Sequence, residues 1–156
     1  MTAPRYGLYT DSYTAAQVTA GLPGGLFFGD CPNDPATGKT YMFCKADATV
    51  AANSAVKTDP AGTPGQQFNV IPTATATDYL LGVCETLGGI ANGGAGWITI
   101  NGPAKCLVAA AVAQSALIAP TATAGQLGAP GATSQLRAQC LAAPGGSPAV
   151  VGVHLT

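Results

Sequence analysis

From Thr40 onward, short apolar runs alternate with clusters of small polar residues, Gly and Pro, at intervals of roughly ten residues. That spacing predicts strands at Thr40–Lys45, Ala55–Thr58, Gln67–Ile71, Tyr79–Glu85, Trp97–Asn101 and Lys105–Val108. Three more are expected at Ala116–Ala119, Leu136–Leu141 and Ala149–Leu155. Side chains alternate across a strand, so Ile98 and Ile100 share one face while Trp97 and Thr99 share the other. A strand with no charge on either face, bounded by Gly96 and Gly102, is expected to be covered on both sides. The Ala-rich piece Leu107–Ala116 also suits a helical turn or two, because Ala favours helix, though the strand reading takes precedence.

Residues 1–38 follow another pattern. They hold Tyr6, Tyr9 and Tyr13, a Gly21–Gly25 turn and a Cys31–Pro35 turn, without helical periodicity or sustained alternation. An extended arm is the expectation, and its tyrosines need something to pack against, either the chain's own domain or a neighbouring molecule. The chain thus divides into an arm, 1–38, and a β-rich domain, 39–156. Within the domain there is an echo: Ala52-Asn53-Ser54-Ala55-Val56 resembles Ala113-Gln114-Ser115-Ala116-Leu117, and Gly65-Gln66 resembles Gly125-Gln126. Two similar β units, one in each half, would produce it.

Composition narrows the class. Only 8 % of the 156 residues are charged, and 21 Gly and 12 Pro favour turns over long helices. A surface this poor in charge is weakly protected against association, which suits a subunit of an assembly. The net charge of −1 gives no electrostatic reason to bind nucleic acid or an anionic membrane. The start, Met1 to Ser12, has no apolar stretch of signal-peptide type, and the Ala104–Ala119 run stops short of a membrane span. A soluble protein made in a cytoplasm is expected. Cys44, Cys84, Cys106 and Cys140 sit in apolar runs and read as reduced core residues, leaving Cys31 as the thiol open to reagents.

The residues that could carry chemistry are scattered. His154, the one histidine, has no nucleophile or acid beside it in sequence and reads as an outward-facing strand residue. One His and five dispersed Cys lack zinc spacing, and the seven acids form no calcium loop, so no metal or other cofactor is expected. Gly38-Lys39-Thr40 lacks the earlier Gly of a phosphate loop and reads as a turn entering the first strand. Gly88–Gly96 reads as a long hairpin loop. Lys57 and Lys105 lie near turns but without the acidic context of a carrier hairpin.

Read in order, Tyr79-Leu80-Leu81-Gly82-Val83, a Gly-rich loop, then Trp97-Ile98-Thr99-Ile100-Asn101-Gly102 and Ala-rich strands resemble the capsid decoration (cement) proteins of tailed bacteriophages. Ser115-Ala116-Leu117 and Gly125-Gln126-Leu127 match that family's repeated turns, and Arg5-Tyr6-Gly7 its arm-like start. The resemblance spans most of residues 40–156, and the five cysteines are more than it accounts for. It implies an all-β protein, a small β-barrel or β-sandwich with an extended N-terminal arm. It further implies a virion location on the capsid exterior, the major capsid protein as partner, and a homo-oligomer with a trimer favoured. Such a protein has no catalytic residues and clamps capsomers mechanically. Arg5, Tyr6, Tyr9 and Tyr13 are then the candidate capsid or intersubunit contacts, and removing the arm is expected to weaken shell binding without unfolding the domain. Alternatives are a head-fibre base, a tail accessory protein, a small hydrolase pairing Cys31 with His154, or a secreted bacterial surface module.

Overall fold

The computed structural model describes residues 9–22, 25–61, 68–110, 112–131, 138–141 and 149–153. It is all-β, as the spacing of apolar runs predicts: eleven strands join in one continuous sheet, with a single short helix among the described residues. The strands are β1 (Ser12–Tyr13), β2 (Asn33–Asp34), β3 (Lys39–Ala46), β4 (Ser54–Thr58), β5 (Asn69–Pro72) and β6 (Gly82–Cys84). They continue with β7 (Ala95–Cys106), β8 (Leu117–Pro120), β9 (Leu127–Gly128), β10 (Ala138–Cys140) and β11 (Ala149–Val153). The helix α1 spans Ala15–Ala20.

The sheet closes on itself twice. In the first ring β3 runs parallel to β5, β5 pairs with β4, β4 with β6, β6 with β7, and β7 returns to β3. In the second, the end of β7 continues to Val108, which bridges Leu127 of β9 in parallel; β9 pairs with β8, β8 with β10, β10 with β11, and β11 returns to β7. The order and direction of pairing are the same in both rings. Closure leaves few exposed sheet edges in a chain with little charge to protect them.

This is a structural repeat of two similar β units, one in each half. Matching pairings set Cys44 against Cys106, Val56 against Ile118, Val70 against Leu127, Cys84 against Cys140 and Ile98 against Val151. All of these are buried. The four core cysteines are therefore two equivalent pairs, one pair in each ring. The sequence echo is one residue out, since the pairing puts Asn53 opposite Ser115 rather than Gln114. Its second half, Gly65-Gln66, lies outside the described residues.

Four further expectations change. The predicted strands Trp97–Asn101 and Lys105–Val108 are joined in the single strand β7, because Gly102, at φ 101°, lets the chain pass from one ring to the other without breaking the ladder. The described part of Leu107–Ala116 forms turns, not helix. Its carbonyl and amide groups serve the second ring instead, as in the bond from Ala109 N–H to Leu127 O (2.8 Å). The helix lies in the arm, where Thr14 and Gln17 form a capping box. The strand expected over Tyr79–Glu85 is shorter, Gly82–Cys84.

Each ring has its own core. Met42, Cys44, Ala46, Val56, Val70, Cys84, Ile98 and Ile100 fill the first, with Val50 and Ile90. The second is filled by Ala104, Cys106, Val108, Ile118, Leu127, Cys140, Val151 and Val153. Smaller residues at some equivalent positions (Met42 to Ala104, Ile98 to Val151) are offset by larger ones at others (Ala46 to Val108, Val56 to Ile118), so total volume is nearly kept. Ala55, Leu80 and Val83, on the outside of the first ring, pack into the second core. The seam is fixed by Ala55 N–H to Gly125 O, Gly125 N–H to Thr73 O and Leu107 N–H to Asn53 O, each 2.8 Å.

Candidate interaction surface

Trp97 and Thr99 were expected on one face of their strand, with the isoleucines on the other. The isoleucines do point into the first core. Outside the ring, cross-strand alternation brings Tyr41, Phe43 and Trp97 together, with the Phe43 and Trp97 rings 4.9 Å apart. An aromatic face of this size has to be covered. The arm covers it: Tyr9 stacks on Tyr41 at 4.3 Å and meets Trp97 edge-on at 5.2 Å. Tyr13 meets Phe43 edge-on at 5.8 Å, and Phe28 stacks on Phe43 at 5.6 Å. Tyr13 is held there by backbone pairing of β1 with Ala95 and Gly96. Burial, then the charge of Asp11, raises its phenol pKa, as expected of a ring pressed onto apolar neighbours.

Two of the four sequence candidates, Tyr9 and Tyr13, thus pack on their own chain while keeping partial exposure. Arg5 and Tyr6 lie outside the described residues. The described part of the arm packs on the domain, so its removal would strip the cover from Tyr41, Phe43 and Trp97. Around it stand two apolar side chains that the sequence reading passed over. Phe27 is 69 % exposed, in a loop tied to β3 by Gly29 N–H to Phe43 O (2.8 Å). Leu87 is 80 % exposed, in the turn after β6, where its N–H donates to Thr10 O (3.3 Å). Neither belongs to a periodic apolar run, which is why no pattern pointed to them.

The charged side chains hold turns and joints together. Lys39 pairs with Glu85 at 2.7 Å, Lys57 with Asp78 at 2.8 Å and Lys45 with Asp47 at 3.3 Å. Glu85 also accepts from Thr99 Oγ1 (2.7 Å) and from the backbone of Lys105 (2.9 Å), joining both halves of β7. Around the Lys57–Asp78 pair lies a cavity of about 240 Å³, lined by Thr58, Pro60, Thr77 and Tyr79 as well. Burial tends to raise the Asp78 pKa. Bonds from Ala74 N–H, Lys57 Nζ and Thr75 outweigh it and hold the carboxyl well below its ordinary value. At Asp34, bonds from Thr37 and Ala36 lower the pKa at the turn before β3. Gly38-Lys39-Thr40 is that turn's exit, as the sequence suggests.

Cys31 is the exposed thiol and the other four cysteines are buried. Burial, then the charge of Asp30, raises the Cys31 pKa, which works against a nucleophilic thiolate. His154, its partner in the hydrolase alternative, lies outside the described residues. No helix of the described residues is long and apolar enough to cross a membrane. Comparison of the chain with protein-family models, curated proteins and solved structures found no match.

Proposed function

We propose that this chain is a structural virion protein that binds the outer surface of a tailed-phage head and stabilises the lattice of its major capsid protein. The observation that carries the reading is the arm-covered side of the first ring. There, exposed Phe27 sits in a loop bonded to Phe43 of the aromatic stack, and exposed Leu87 in a turn bonded to Thr10 of the arm. Apolar anchors on a stiff base lose little conformational entropy on docking, which is how a small protein can hold a large shell. The resemblance of Tyr79–Val83 and Trp97–Gly102 to the decoration family supports the same reading. In this role the protein acts by burying surface between capsomers and carries out no reaction.

The test is co-sedimentation of the full chain with undecorated phage heads, with imaging of the pellet. Stoichiometric binding on the outer shell, lost in Phe27→Asp with Leu87→Asp, is the expected result. Failure of the wild-type protein to bind any head, or attachment only to tails, would overturn it.

A further inference from the structure

The repeat exposes in one ring a face that is covered in the other. On the first ring, the outward positions Phe43, Ala55, Val83 and Trp97 are all buried, under the arm or under the second ring. Matched pairings assign Lys105, Leu117, Gln139 and Val150 to the same positions of the second ring. Here Leu117 is 52 % exposed and Val150 37 %. Leu141, which bonds across to Val150 (Leu141 N–H to Val150 O, 3.0 Å), is 43 % exposed on that same face. The reason is topological. The second ring starts inside β7, so no arm of its own precedes it to lie across its outer side.

We propose that this face, Leu117–Leu141–Val150, binds a second copy of the chain, face to face, as a two-fold dimer. What covers the equivalent Ala55 and Val83 within the chain is another ring of the same fold, so the cover with a precedent in the molecule is a further ring. A head-to-tail continuation would need the partner's first ring to present the edge around Lys45 and Phe68. There the Phe68 ring already lies against the loop, so close that a Cβ on Gly29 would be 2.4 Å from it. The partner's second ring is the surface left, and an isologous contact closes the assembly instead of propagating it. On this face Leu117, Leu141 and Val150 surround Gln139, whose Nε2 donates to Ser115 O (3.0 Å), and Lys105 stands beside Val150, so apolar side chains alternate with a bonded amide and a charge. On this proposal the oligomer is a dimer, where the resemblance implies a trimer.

The experiment is sedimentation equilibrium of the full chain, without any capsid present, which separates this proposal from shell binding. The wild-type protein is expected at dimer mass. Leu117→Asp with Val150→Asp is expected to weaken the dimer at least tenfold while the fluorescence of Trp97, in the first ring, stays native. Should that variant fail to fold, Leu117→Thr with Val150→Thr keeps strand propensity and is expected to shift the equilibrium the same way. A wild-type monomer, a trimer, or a dimer that neither variant weakens would overturn the proposal.

Discussion

Asn53 and Ser115 occupy the same position in successive rings: both take a left-handed backbone, φ 61° and 64°, and each donates its N–H to the carbonyl of the equivalent cysteine. Those bonds are Asn53 to Cys84 at 2.6 Å and Ser115 to Cys140 at 2.8 Å. They enter β4 and β8, so the turn that starts the second strand is built twice to one plan. Asn tolerates this conformation through local side-chain bonding, while Ser carries more of the steric cost. Ser115→Gly is therefore expected to stabilise by about 0.5–1 kcal/mol and Asn53→Gly to change little. Urea unfolding of both variants measures this, and a loss of stability in Ser115→Gly would show that the turn is not strained.

The arm has a direct reporter, because Trp97 is the one tryptophan and Tyr9 touches its ring. Tyr9→Ala removes two aromatic pairs and is expected to cost about 1–3 kcal/mol. It should also shift Trp97 emission to the red as water reaches the indole. An unchanged spectrum and melting point would mean that the arm lies elsewhere in solution.

How much of this was legible in the sequence depends on how local each signal is. The strands around Met42–Cys44 and Ile98–Ile100 were readable because period-two alternation and flanking glycines are local. The unity of β7 was not, since Gly102-Pro103 reads as a break unless one knows that each half pairs with a different ring. Strands β1, β2 and β9 are two residues long and exist because a neighbour offers hydrogen bonds, so no pattern can announce them. Of the three arm tyrosines singled out as needing a partner, Tyr9 and Tyr13 have one, and Tyr6 lies outside the described residues. That the partner of Tyr9 and Tyr13 is the aromatic face of their own β3 and β7 follows from contacts distant in sequence. Phe27 and Leu87 lay in turn-rich stretches and gave no signal at all.

Asp78 fastens the segment before β6 by accepting from Ala74 N–H (2.6 Å), Thr75 N–H (2.9 Å), Thr75 Oγ1 (2.8 Å) and Lys57 Nζ (2.8 Å). Its folded pKa lies below the ordinary 3.8, so its contribution is complete above that pH and is lost as pH falls towards the folded value. Asp78→Asn is expected to cost about 1–3 kcal/mol near neutral pH. The gap between wild type and variant should narrow on acidification below 3.8. Urea midpoints taken from about pH 7 down to about pH 2 test the sign, and a gap that widens in acid would contradict it.

Thiol reactivity separates Cys31 from the repeat's two cysteine pairs. In the native protein only Cys31 is expected to label, and slowly, because burial and Asp30 disfavour its thiolate. Asp30→Asn should speed the reaction. Cys44 and Cys106 are completely buried with pKa values driven far up, so they should label only on unfolding, as should Cys84 and Cys140. Rapid labelling of more than one thiol in the native state would mean that a ring opens.

Gly125 holds the two rings together and has no room for a side chain. Its φ is +69°, and a Cβ would stand 2.7 Å from Ser54 Oγ and 2.8 Å from Ser54 Cβ, both on β4 of the other ring. Its carbonyl and N–H make two of the seam's backbone bonds, to Ala55 and Thr73. Gly125→Ala is therefore expected to destabilise by about 2–4 kcal/mol, from the left-handed backbone and the overpacking together. The loss should also have a direction. Trp97 reports the first ring and the labelling of Cys106 and Cys140 the second, so the wild-type protein should show coincident transitions on heating. In the variant the thiols should appear before Trp97 fluorescence changes, because the second core relies on Ala55, Leu80 and Val83 of its neighbour to close it. Transitions that stay coincident in Gly125→Ala would show that coupling runs through β7 rather than through the seam.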